Sequence, residues 1–114
     1  MILITGGLFS GKKTFARELL REGQTLEEAA VWEVQELVRQ EMAEEDVVFL
    51  AEELAKKQMV LFTETGGGVV PMDPKERQCR ELAGRLGCLL AQRAETVVRL
   101  YCGIPLVLKG RLEE

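Results

Sequence analysis

The sequence predicts an α/β fold, a parallel sheet with flanking helices and a C-terminal edge hairpin, on three observations. An apolar run at residues 1 to 5 breaks at Gly6 and Gly7 and passes straight into helix-forming residues. A second apolar run, Met59 to Thr63, ends in another glycine-rich stretch. Most of the remaining chain carries its apolar residues at helical spacing, so strands and helices alternate. The 114 residues match the size of one domain around one core, and residues 1–114 are read as a single unit.

Taken in order, the strand at residues 1 to 5 and the glycines after it lead into a helix expected over Lys12 to Arg21. Thr25 followed by Glu28 forms a capping box. Ala30, Val34, Leu37 and Val38 then repeat at helical spacing, predicting a second helix to about Gln40. Asp46 is placed as the N-cap of a third helix with Val47, Leu50, Ala51 and Leu54 on one face and Lys56 and Lys57 at its end. The run from Val47 to Ala51 also has strand character, but too few residues separate it from Met59 for a parallel crossover. Three helices returning the chain to its starting edge would make Met59–Thr63 parallel to the first strand. Asp73, Pro74 and Glu76 open another helix, with a buried stripe of Cys79, Leu82, Ala83, Leu86 and Leu90, running to about Arg93. Thr96–Tyr101 and Pro105–Lys109 read as strands, and Gly103 between them permits a tight edge hairpin.

Composition narrows the function. An apolar share of 46% with 30% charged residues is that of a folding chain rather than a disordered one. The net charge of −4 lies on predicted helices with no basic stripe, which argues against nucleic acid as partner. The opening MILITGG is too short for a signal peptide and no later run could span a bilayer, so the expectation is a cytoplasmic protein without membrane association. The three cysteines, Cys79, Cys88 and Cys102, have irregular spacing, and with no histidine and no C-x-x-C pair they are read as buried thiols, with no metal site expected. Trp32 is read as packing.

Gly6-Gly7-Leu8-Phe9-Ser10-Gly11-Lys12 fits the G-x-x-x-x-G-K phosphate-binding loop in the context that motif requires, after a strand and opening a helix. This makes the expected fold P-loop NTPase-like. Glycines let the backbone curl around phosphate with its N–H groups inward, the helix start adds partial positive charge, and Lys12 reaches the terminal phosphates. Gly6, Gly7, Ser10, Gly11, Lys12, Lys13 and Thr14 are the expected nucleotide-binding residues, for ATP or GTP. The residue after the lysine is ordinarily Ser or Thr, whose hydroxyl ligates Mg2+; here it is Lys13, and Thr14 is turned about 100° away. Two adjacent lysines could hold polyphosphate with less help from magnesium.

Glu64-Thr65-Gly66-Gly67-Gly68-Val69-Val70-Pro71 follows the second strand, at the sheet edge where ligands bind in open α/β folds. Glu64 is the candidate catalytic carboxylate, and Gly66 and Gly68 would let backbone approach a substrate. Composition alone leaves open a plain turn with Glu64 facing solvent. Arg77 and Arg80, one helical turn apart, either clamp an anion or pair with Glu76 and Glu81.

FTETGGGVVP, the arginines and glycine of R-x-x-R-E-x-x-G (Arg77, Arg80, Glu81, Gly84) and the final GIPLVLKG resemble the C-terminal half of the cobinamide kinase/cobinamide-phosphate guanylyltransferase family. MILITGGLFSGKKTFAREL resembles its N-terminus. The resemblance covers roughly residues 1 to 20 and 58 to 110, with the middle read as unmatched. It implies a bifunctional enzyme of cobalamin assembly that phosphorylates a cobinamide alcohol and then moves GMP from GTP onto that phosphate, with a corrinoid substrate and a small homo-oligomer. It would put nucleotide phosphates on Gly6, Gly11 and Lys12, and Glu64 in the family's asparagine-glutamate-valine-glycine motif, two of whose residues are Thr63 and Thr65 here. The family's asparagine-glutamine pair is Gly87-Cys88 here, and its acidic strand motif between the glycine loops has no visible counterpart. Guanylyl transfer in the family passes through a histidine, which this sequence lacks, so that half-reaction is expected to be lost. The residues leave two readings, a nucleotide-dependent kinase and a non-catalytic nucleotide-binding sensor or partner module, against a fragment with no ligand.

Overall fold

In a computed structural model, residues 1–39, 41–64 and 73–112 are described. They form β1 (Ile2–Gly6), α1 (Lys12–Glu18), α2 (Leu26–Ala29), β2 (Ala30–Val31), a 3-10 turn (Val34–Leu37), α3 (Glu44–Leu54), β3 (Met59–Thr63), α4 (Pro74–Arg93), β4 (Thr96–Tyr101) and β5 (Ile104–Lys109). The sheet has five strands in the order β2-β3-β1-β4-β5. All neighbours are parallel except β4 and β5, which form the antiparallel edge hairpin. The α/β architecture and the parallel pairing of the first and second apolar strands agree with the sequence reading.

β1 lies between β3 and β4, in register from Ile2 against Met59 and Thr96 to Gly6 against Thr63 and Leu100. A strand covered on both faces needs apolar residues throughout, and all five residues of β3 are buried. Side chains alternate between two cores. Leu3, Val60, Phe62 and Val97 face α3 and α4, while Ile4, Met59, Leu61 and Leu100 face α1 and α2.

The segment after Thr25 departs from the helical expectation. Thr25 does cap, its hydroxyl accepting from the Glu28 N–H, but α2 stops at Ala29. Ala30 turns extended and pairs with Met59, and Val31 with Val60. The apparent stripe misled because its members go to opposite faces: Ala30 joins the α1/α2 core, Val34 and Val38 join the α3/α4 core, and Leu37 is 43% exposed. The chain wraps the sheet edge instead of continuing along a helix. α1 is likewise shorter than expected, ending at Glu18.

α3 forms where the strand alternative was rejected, burying Val47, Ala51 and Leu54. Its N-cap is Ala43, not Asp46: the Asp46 carboxylate reaches back from the third helical position to accept the Ala43 N–H at 2.8 Å. α4 opens as expected on Asp73 and Pro74 and buries Ala83, Leu86, Leu89 and Leu90. Gly87 brings α4 close to β3, since a Cβ there would sit 3.3 Å from the Phe62 ring. The cysteines are not buried thiols: Cys79 is half-buried, and Cys88 and Cys102 are exposed. Cys102 and Gly103 both take positive φ, 50° and 79°, the paired values a two-residue hairpin turn requires. Every residue of β5 is exposed. No helix among the described residues is long and apolar enough to cross a membrane.

Candidate functional site

The loop between β1 and α1 leaves the carboxyl end of the central strand. Gly6 has no room for a side chain: a Cβ there would overlap the Ser10 hydroxyl and lie 2.8 Å from the Leu100 carbonyl oxygen. Gly11 takes φ 91°, a left-handed value that turns the loop into the helix. Lys12 is only 8% exposed because its ammonium folds back into the loop. It donates to the Gly7 carbonyl at 2.8 Å and to the Gly6 carbonyl and Ser10 hydroxyl at 3.4 Å. Burial lowers the Lys12 pKa from its ordinary value, and the charges of Glu33 and Glu64 oppose that shift without cancelling it. The hairpin tip braces the loop from the other side, through the Gly103 N–H on the Ser10 carbonyl at 3.0 Å.

Glu33 stands where β2 gives way to the 3-10 turn, at φ 53° and ψ 40°, an uncommon backbone position for a residue with a side chain. Its carboxylate accepts from the Thr63 hydroxyl at 2.7 Å and from the Gln35 amide at 2.8 Å. Gln35 also accepts the Thr63 backbone N–H at 3.0 Å, so the turn is latched to the end of β3. Burial alone would raise the Glu33 carboxyl. The hydrogen bonds from Thr63 and Gln35 and the charges of Lys12 and Lys13 outweigh it, and the net shift is downward.

Lys13 is exposed and points back over Trp32, its ammonium 4.6 Å from the ring centroid. Such a contact is worth about 0.5–1 kcal/mol at an exposed site, enough to bias the side chain and too little to fix it. Thr14 is exposed. Ser10, Lys12, Lys13, Trp32 and Glu33 share a cleft of about 360 Å³ with the apolar side chains of Leu8 and Phe9, the latter 94% exposed. A larger groove of about 760 Å³ lies at the opposite, amino end of the strands, by Ile2, Gln58 and Thr96. In open α/β sheets the ligand side is the carboxyl end, which selects the smaller cleft.

The second glycine stretch begins beside the first. The Glu64 N–H donates to the Gly6 carbonyl at 2.8 Å, so Glu64 lies against the phosphate-type loop. Both Glu64 carboxylate oxygens accept from Arg99 Nε at 3.1 Å, in an exposed pair.

A family model described as cobinamide kinase / cobinamide phosphate guanyltransferase matches residues 24–108. The chain belongs to that family. Among curated proteins, none matches it. Membership in the cobinamide kinase/guanyltransferase family carries a function of that type, with a nucleotide and a cobinamide as substrates. The matched span starts at residue 24, after the glycine loop, and runs through the middle of the chain, correcting the reading that the middle has no family counterpart. It contains β2 and Glu33, an acidic residue at a strand end between the two glycine loops, which the helical reading had concealed.

Of the residues expected at the site, Gly6, Gly7, Ser10, Gly11, Lys12, Lys13 and Thr14 form the loop and the start of α1, with Glu64 adjoining. Gly66 and Gly68 lie outside the described residues. Arg77 and Arg80 stand in the first two turns of α4, exposed and half-buried respectively. Sequence reasoning missed Glu33, Gln35 and Arg99. For Glu33 a signal existed: Ala30-Val31-Trp32 is a short apolar run ending in an acid, the pattern of a brief parallel strand. Gln35 and Arg99 carried none, because both act through contacts made across the sheet.

Proposed function

We propose that this member of the cobinamide kinase/guanyltransferase family binds the polyphosphate of ATP or GTP in the cleft between the Gly6–Lys13 loop and Glu33, and has lost guanylyl transfer. The observation that carries the reading is the Lys12 ammonium, buried inside the glycine loop on two carbonyls and one hydroxyl. A phosphate placed there would exchange neutral carbonyl acceptors for charge-assisted hydrogen bonds to the ammonium. Gly6, Gly7, Ser10 and Gly11 shape the loop, and a cobinamide alcohol would approach from the side of Glu64. The loss of guanylyl transfer rests on the absence of histidine from the sequence, which removes the family's covalent route.

A second reading, a non-catalytic nucleotide-binding sensor or partner module, is favoured by the Arg99 guanidinium on Glu64. A carboxylate engaged on both oxygens is a poorer partner for an acceptor hydroxyl. Calorimetric titration of ATP and GTP into wild type and Lys12→Ala tests the site. Transfer of labelled phosphate from either nucleotide to cobinamide then separates kinase from module. Saturable binding lost in the variant supports the site, and binding unaffected by the substitution rejects it.

Self-association of copies is proposed to run through β5. That strand lies at the sheet edge with Ile104 and Leu108 61% and 63% exposed, and an unpaired apolar edge is a template for a second chain.

A further inference from the structure

We propose that Lys13 acts as a built-in cation, so that the cleft takes the metal-free polyphosphate of a nucleotide in preference to its magnesium complex. This rests on the nucleotide site proposed above and adds to it the charge state of the ligand.

The donor set does not suit magnesium. At a phosphate loop of this type the metal takes a hydroxyl from the residue after the loop lysine. Here that residue is Lys13, whose ammonium has no lone pair to give. Thr14 is exposed and one helical step, about 100°, further round. The carboxylates at the strand ends are already committed: Glu33 accepts from Thr63 and Gln35, and Glu64 from Arg99. Among the described residues no cluster of three acidic or cysteine side chains could hold a metal ion.

What the site has instead is a second positive charge beside Lys12. Lys13, though exposed, is drawn back over Trp32, the residue before Glu33, and its charge reaches the Glu33 carboxylate. Lys13 lines the same cleft as Lys12, so two positively charged side chains border the space where a polyphosphate would lie. A free triphosphate carries more negative charge than its magnesium complex, and a cleft bordered by two ammonium side chains interacts more strongly with the former. The indole contact holds Lys13 near the cleft and releases it when a stronger anionic partner arrives.

The test is calorimetric titration of ATP and of inorganic tripolyphosphate, in a chelator and in excess magnesium, into wild type, Lys13→Thr and Lys13→Arg. Trp32, the only tryptophan in the chain, reports departure of the ammonium from its ring by fluorescence. Wild type and Lys13→Arg are expected to bind the metal-free ligands about tenfold more tightly than the magnesium complexes, the scale of one charge at short range. Lys13→Thr is expected to reverse that preference and to lose the Trp32 response. Wild-type binding that requires magnesium, or a magnesium response identical in wild type and Lys13→Thr, overturns the inference while leaving the nucleotide site standing. No saturable binding under either condition overturns both.

Discussion

The Thr63 hydroxyl donates to the Glu33 carboxylate across 2.7 Å, joining the ends of β3 and β2 at the mouth of the cleft. The bond makes Glu33 a structural acid as well as a neighbour of the ligand. Because its folded pKa lies below the ordinary 4.5, the stability it contributes is fully present above that value and is lost as pH falls through the folded pKa. Thermal melts of wild type and Glu33→Gln should therefore differ most at neutral pH and converge on acidification below 4.5. A gap that stays constant across that range would show that Glu33 contributes no charge-dependent stability.

Lys12 titrates with the opposite consequence. Its folded pKa is lowered, so holding it charged costs stability below that pKa, and the cost fades as pH rises toward 10.5. Lys12→Ala relieves that cost and loses the hydrogen bonds to Gly6, Gly7 and Ser10, two effects that offset. It should therefore leave the melting temperature nearly unchanged while weakening ATP binding about thirtyfold, the scale of one charge-assisted hydrogen bond. Calorimetry beside a melt reads both. Equal losses of binding and stability would mean that Lys12 is a structural element of the loop.

Gly6 is fixed by its surroundings rather than by the ligand. Gly6→Ala places a methyl on the Ser10 hydroxyl and 2.8 Å from the Leu100 carbonyl, in a central strand that cannot shift without moving β3 and β4. The expected loss is about 2 kcal/mol or more, the range of locally strained backbone and overpacking. Denaturant unfolding of the variant measures it, and a loss under about 0.5 kcal/mol, ordinary for a surface change, would show that the loop gives way.

The strands β1 and β3, α4 with its Asp73-Pro74 start, and the β4–β5 hairpin were legible because each rests on a local rule: apolar run, cap, turn. The parallel order of β1 and β3 is as expected, although the second of the three helices it was argued from is instead α2, β2 and the 3-10 turn. β2 was not. Two residues are too few for any periodicity, and Ala30 is extended because Met59 offers it a partner, a fact of tertiary pairing. The loop residues of the site could be read from glycine spacing. Gln35 and Arg99 could not, since each finds its partner 28 and 35 residues away. Cys102 looked like a buried thiol by residue type, yet the turn it occupies requires exposure.

Exposure on β5 makes self-association testable without disturbing the core. Leu106 and Leu108 are 49% and 63% exposed, so Leu106→Glu and Leu108→Glu should fold as wild type does. Light scattering on a sizing column should show wild type as an oligomer and the variants shifted toward the monomer. A wild-type monomer at the same concentration would remove β5 as an interface.

The pair between Arg99 and Glu64 separates stability from function. With side chains 48% and 38% exposed, it should contribute less than about 1 kcal/mol, so Arg99→Ala and Glu64→Gln should melt close to wild type. Their effects on chemistry should diverge. Glu64→Gln removes the carboxylate of the residue whose backbone is bonded to the loop and should abolish phosphate transfer to cobinamide while ATP binding stays within about twofold, because Glu64 is not among the hydrogen-bond acceptors of Lys12. Arg99→Ala frees that carboxylate and should raise any transfer the wild type shows. Transfer unchanged in both variants would take the catalytic role away from Glu64, and no transfer in wild type or Arg99→Ala, with nucleotide binding intact, would establish the non-catalytic module.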